Sequence, residues 1–348
     1  MTFADEPPTT RLADYATAST HLALLSDRRL RTLVDGAAPV GSGLGGSTAV
    51  LDVEGVKVFV KRVPLTELEL RPENVRSTAN LFGLPTFYQY GLGSAGFGAW
   101  RELAAHAMAT DWVLRNAYQG FPLMYHWRAL TGFPSPADAA GFAEFGGLDG
   151  AVRHWEGSPA VRARLEAIRD STASIVLFVE HLPQTLGAWL ADQDPAAYPR
   201  VDEALAAGAA FMRAQGLVHF DAHFDNVLTD GRRPYFSDFG LALSSRFELS
   251  PQEREFLAQH SDYDSAYVAS HLIVHHLADA VRGDLDRTRF LREWAEGSRP
   301  ATVPEPAAAL LTRHARTVAA MTGFHDRLMR ESKTTPFPGG CPPNPPPG

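Results

Sequence analysis

Cysteine is almost absent from this chain. The one cysteine among 348 residues, Cys341, lies in a Gly/Pro-rich end, so neither a disulfide framework nor a cysteine zinc site can be built. Long apolar runs are missing as well. The stretch 175–179 is typical of those present, far short of the roughly 18 residues that a membrane helix needs. Basic charge is in deficit, with 32 Lys and Arg against 40 Asp and Glu and a net charge of −8. That balance argues against nucleic acid or an anionic membrane as the main partner. The first residues carry Asp5, Glu6 and two prolines, without the basic start and apolar core of a secretory signal. A cytoplasmic protein is the expectation.

What is present is enough apolar material, 45%, for one large domain or two ordinary ones. Strand signals dominate the first half. Val56, Val58 and Val60 alternate with Lys57, Phe59 and Lys61 after a Glu54-Gly55 turn, which predicts a strand with two distinct faces. Trp100, Leu103, Ala104, Ala107, Met108 and Trp112 recur at helical spacing and predict a helix over 99–115. The unbroken apolar run 175–179 predicts a strand buried on both faces. The second half reads as helical, apart from a hairpin around Asp230-Gly231. Ser250-Pro251-Gln252-Glu253 has the form of a capping box with proline at the first helical position. The expected class is α+β in two lobes. A helical extension covers 1–35, and a small β-rich lobe covers 36–180 with an insertion at about 131–172. A larger helical lobe spans 181–332, and a disordered Pro-rich tail follows over 333–348.

The most informative stretch is His219-Phe220-Asp221-Ala222-His223-Phe224-Asp225-Asn226, followed by Ser237-Asp238-Phe239-Gly240 at the end of the hairpin. Phosphoryl transfer needs a carboxylate to orient an attacking hydroxyl and oxygen ligands to hold Mg²⁺ on the phosphates. Asp221 suits the first role, Asn226 and Asp238 the second. Upstream, Gly41-Ser42-Gly43-Leu44-Gly45-Gly46 lies between two strands, where backbone N–H groups can cover phosphates. A dinucleotide site would need a helix directly after the glycines; here a strand follows. Lys61 ends the next strand on the face of Phe59. A carboxylate must position such a lysine, and Glu102 is the candidate, with Glu67, Glu69 and Glu73 as rivals. His219, Asp221 and His223 also admit a transition-metal reading, as do His271 and His275, four residues apart on an expected helix.

In this order, glycine loop, Val58-Phe59-Val60-Lys61, helix glutamate, His-x-Asp-x-His-x-x-Asn and Asp-Phe-Gly, the chain resembles the protein-kinase-like superfamily over roughly residues 36–330. The resemblance implies a bilobal kinase fold and an ATP- and Mg²⁺-dependent kinase. Asp221 would then be the catalytic base, braced by His219, and Asn226 and Asp238 the metal ligands. Lys61, paired with Glu102, would contact the α- and β-phosphates. Gly41, Ser42, Gly43, Gly45 and Gly46 would cover the nucleotide. The backbone at Glu180, His181 and Leu182 would hydrogen-bond adenine, and Phe239 would pack behind the metal site. Phe59 is either a core aromatic or a platform for the base.

The acceptor stays open. His223, two residues after Asp221, is similar to aminoglycoside and choline kinases, and the chain has no long activation segment after Gly240. The Asp-Phe-Gly triplet and complete glycine pattern resemble Ser/Thr protein kinases instead. A protein or peptide hydroxyl and a small-molecule hydroxyl are both expected acceptors. An acidic pocket from Asp225, Asp262 and Asp264 would favour a small cation. The alternative from another class is a nucleotide-binding pseudokinase scaffold without transfer activity.

Overall fold

The computed structural model describes residues 8–43, 46–134 and 143–339. It has the mixed helix and sheet content of the α+β class and divides into two compact units. The first comprises Met1–Leu182 with Asp238–Arg254, the second Pro183–Ser237 with Glu255–Gly348.

The first unit opens with helices α1 (Pro8–Leu24) and α2 (Asp27–Asp35), as expected for its extension. An antiparallel sheet follows, built from β1 (Ala38–Gly43), β2 (Gly46–Val53), β3 (Val56–Leu65), β4 (Met124–Thr131) and β5 (Ala173–Glu180) in the order β1-β2-β3-β5-β4. The apolar run places β5 between β3 and β4, and every side chain from Ala173 to Val179 is buried. At about 1.5–3 kcal/mol per buried large apolar side chain, β5 anchors the unit. The predicted helix forms as α4 (Ala99–Leu114), after a one-turn α3 (Glu67–Leu70). Strand β4 was not anticipated, because Met124-Tyr125-His126-Trp127 carries β-formers without a clean alternation. The stretch expected as an insertion is not peripheral. Its helices α5 (Leu148–His154) and α6 (Pro159–Arg169) place Trp155, Val161 and Leu165 against Leu84, Tyr88 and Phe97.

The second unit is mainly helical. It contains α7 (Leu186–Ala191), α8 (Tyr198–Ala214) and a small sheet of β6 (Gln184–Thr185), β7 (Val227–Thr229) and β8 (Pro234–Phe236), the last two forming the predicted hairpin. Helix α9 (Pro251–Gln259) starts in the first unit, where it carries the expected capping box: Ser250 Oγ accepts the Glu253 N–H and Glu253 Oε2 accepts the Ser250 N–H. Helix α10 (Tyr263–Leu272) packs on α8 and on α12 (Glu305–Arg330), which follows α11 (Arg287–Ala295). Residues 333–339, expected to open the disordered tail, include buried Lys333 and exposed Thr334, Pro336 and Gly339. Lys333 is buried with Nζ donating to Leu328 O at 2.8 Å, and the Phe337 ring lies 5.1 Å from His260. The remainder of that tail lies outside the described residues. No helix among the described residues is long and apolar enough to cross a membrane.

Candidate active site

Strand β3, helix α4 and the Asp238 turn bring three expected residues of the first unit together. Lys61 Nζ lies 2.7 Å from Glu102 Oε1 and 2.7 Å from Asp238 Oδ1. Lys61 and Glu102 are only 7% and 3% exposed. Burial pulls the Lys61 pKa down, but the Asp238 and Glu102 carboxylates outweigh it, and the ammonium is held above its ordinary range. Burial also pushes Glu102 up, against the pull of Lys61. Lys61 is therefore a fixed cation held between the Glu102 and Asp238 carboxylates.

Asp238 adopts the left-handed conformation (φ 59°), sparsely populated by non-glycine residues, and its Oδ1 accepts the Gly240 N–H at 3.3 Å. Its side chain keeps 41% exposure, unlike the other two members. Phe239 is fully buried, its ring 5.0 Å from His106 and 6.1 Å from Phe121. The rival glutamates separate cleanly. Glu67 and Glu73 are exposed, and Glu69 is buried in its own capping box with Thr66 and accepts the Ala99 N–H at 2.7 Å.

The glycine run pairs as a tight hairpin, Ser42 opposite Ser47 and Gly43 opposite Gly46; Gly45 lies outside the described residues. Gly46 has φ +121°, and a Cβ there would meet Arg62 O at 1.9 Å, so its glycine is demanded by the neighbouring strand. Gly41 is under no such constraint: its carbonyl accepts Thr48 Oγ1 at 3.2 Å. Phe59 is half-buried against the core around Trp100, Met124 and Val179. The Glu180 N–H donates to Leu123 O at 2.7 Å. Its carboxylate binds Arg11 of α1 through Nε at 2.8 Å and Nη2 at 2.6 Å. His181 and Leu182 follow directly at the strand end.

In the second unit the loop after α8 is pinned from several sides. Asn226 Nδ2 donates to Asp221 O and to Asp221 Oδ2, each at 3.0 Å. His219, fully buried, has Nε2 on Ser237 O at 2.8 Å and accepts the Asp221 N–H on Nδ1 at 3.3 Å. With a carbonyl on one nitrogen and a donor on the other, the ring carries its proton on Nε2. It ties the Asp221 N–H to the Ser237 carbonyl. His223 Nε2 stands 3.8 Å from Asp221 Oδ1. Asp264, expected as a candidate wall of an acidic pocket, is placed beneath the loop instead. It is buried under the loop, accepts the His219 and Phe220 N–H groups, and burial pushes its pKa up to about 6. It forms no wall of an acidic pocket, and Asp262 is paired with Arg213; Asp225 alone of the three is strongly exposed.

Mg²⁺ takes hard oxygen ligands and commonly uses one or two protein groups beside substrate phosphates. In the first unit the Asp238 carboxylate is of that chemistry, and in the second unit, taken by itself, so is the Asn226 amide oxygen. Among the described residues no group of three or more His, Cys, Asp or Glu side chains is arranged to hold a metal by itself. That leaves the histidine-based metal readings without support. His271 and His275 face each other at 4.6 Å between ring centroids, and burial pushes His271 down to about 2. Compared with known proteins, the chain matches no family model and no curated sequence.

Proposed function

We propose that the chain is an ATP- and Mg²⁺-dependent kinase that transfers the γ-phosphate to a hydroxyl. The observation that carries this reading is the buried Lys61–Glu102 pair with the exposed Asp238 carboxylate beside it. A cation held by two carboxylates is poised to meet a polyphosphate, because an incoming phosphate replaces one negative partner with another. Bound Mg²⁺ would neutralise charge on the phosphates. Lys61 neutralises phosphate oxygens, Glu102 fixes its ammonium, and Asp238 and Asn226 are the oxygen donors suited to the ion. Asp221 orients the acceptor hydroxyl and takes its proton, and Asn226 holds that carboxylate by its amide. His219 and Asp264 keep the loop in shape from beneath. The acceptor hydroxyl belongs either to a protein or peptide Ser or Thr, or to a small molecule.

Calorimetry with Mg²⁺ and ATP tests the nucleotide half of this reading. Asp238→Ala should abolish Mg²⁺-dependent ATP binding. Unchanged affinity in that variant would remove Asp238 from the metal role.

A further inference from the structure

The helix that carries Glu102 begins at a buried network whose cation comes from the 131–172 stretch. Glu69 Oε1 accepts the N–H of Ala99, the first residue of α4. Glu69 Oε2 accepts the Thr66 N–H at 3.0 Å, the Thr66 hydroxyl at 2.6 Å and Arg164 Nη1 at 2.9 Å. Arg164 lies on α6, is 2% exposed, and its Nε donates to Gly96 O at 3.4 Å. Its guanidinium also covers the Phe82 ring at 5.1 Å. Gly96 in turn touches the Asp238 turn: with φ +72°, a Cβ on it would meet Gly240 O at 2.4 Å. One arginine thus holds the carboxylate that caps the helix bearing Glu102 and the carbonyl of Gly96, the glycine packed close to Gly240 O.

Burying such a pair costs several kcal/mol of desolvation, and apolar side chains would fill the space more cheaply. What the ion pair adds is direction. A planar guanidinium with a fixed fork of donors sets the angle between Glu69 and the Gly96 carbonyl, which a lysine or an apolar residue cannot do. Two residues on, Arg101 extends the same logic on the other side of the helix. It donates to Thr78 O at 2.7 Å and pairs with buried Glu253 at 2.6 Å. The first turn of α4 is therefore clamped before Glu102 is reached.

We propose that Arg164 is a positioning residue for the Lys61–Glu102–Asp238 set, acting through Glu69 and Gly96, and that this is what the 131–172 stretch contributes to the reaction. The inference rests on the nucleotide reading above. It is tested by a double-mutant cycle on Mg·ATP affinity, with Arg164→Gln, Glu102→Gln and both together, and by hydrogen exchange of residues 99–102 in the ligand-free protein. Supporting residues around a metal site typically cost about 10- to 100-fold in affinity when removed. Arg164→Gln should lose that much in the native background and almost nothing when Glu102 is already glutamine, because coupled residues are not additive. Exchange at 99–102 should quicken without nucleotide. If the native chain binds Mg·ATP and a folded Arg164→Gln keeps its affinity, the proposal fails alone. An equal loss in both backgrounds also overturns it, since Arg164 would not act through Glu102. A native chain that binds no Mg·ATP overturns the parent reading and this inference with it. Should Arg164→Gln not fold, Arg164→Lys replaces it in the cycle. One ammonium cannot serve both partners, so partial loss is expected, and native exchange with native affinity would refute the proposal.

Discussion

The Asp264 carboxylate accepts the backbone N–H of His219 at 2.7 Å and, through its other oxygen, that of Phe220 at 3.0 Å. Phe220 sits at φ 65°, a conformation that an aromatic residue does not choose unaided. The acid thus holds in place the unusual backbone that immediately precedes Asp221. Asp264→Asn keeps one acceptor and turns an NH₂ toward the other donor, a cost of about 1–3 kcal/mol. We expect Mg·ATP affinity to be retained while transfer falls at least about tenfold, measured on the same preparation. Transfer at the native rate would show that the bonds are not needed for catalysis.

Lys61 and Glu102 give a different prediction. Lys61→Met leaves a buried carboxylate without its cation, a loss of about 3–5 kcal/mol. Adding Glu102→Leu removes the stranded charge and should recover most of that stability. Neither variant should bind Mg·ATP. Chemical denaturation with calorimetry separates the two effects, and nucleotide binding by Lys61→Met would contradict the assigned role.

Acid should weaken the second unit. Burial pushes His260, His276 and His325 down to about 4 and His271 to about 2. The unfolded chain protonates each near its ordinary 6.5, whereas the folded chain does not. Their contribution is therefore present above about pH 6.5 and is lost as the pH falls from there toward 4. Asp264, raised by burial to about 6, works in the opposite sense below that pH. Four histidines outweigh one carboxylate, so the melting temperature should drop by several degrees between pH 7 and pH 5. A flat profile across that window would contradict the burial of these imidazoles.

Much of the candidate site was legible because its chemistry is local in sequence. Lys61 stood on a strictly alternating strand, and Asp221, Asn226 and Asp238 fell in one loop and at the end of one hairpin. Strand β5 announced itself as an apolar run, and α4 by its period. The supports were not legible. Asp264 lies 45 residues from the N–H group that it holds, and on sequence it reads only as a candidate wall of an acidic pocket. Glu69 read as a rival to Glu102, because nothing local tells a capping glutamate from a lysine partner. Arg164 stands out by no motif in a stretch broken by glycine and proline. Buried polar networks are assembled by tertiary contact, and single-sequence periodicity reports only which side of an element is apolar.

The central claim is phosphoryl transfer to a hydroxyl, and γ-phosphate-labelled ATP with Mg²⁺ tests it most directly. The purified protein is incubated with source-cell extract, with Asp221→Asn as control, and the label is separated into macromolecular and small-molecule pools. The account predicts label in one pool that falls by about 10² or more in the variant, as for loss of a general base. Label in polypeptide identifies a protein or peptide acceptor, and label in the small pool a metabolite. Transfer undiminished in Asp221→Asn, or none by the native chain in either pool, would contradict it.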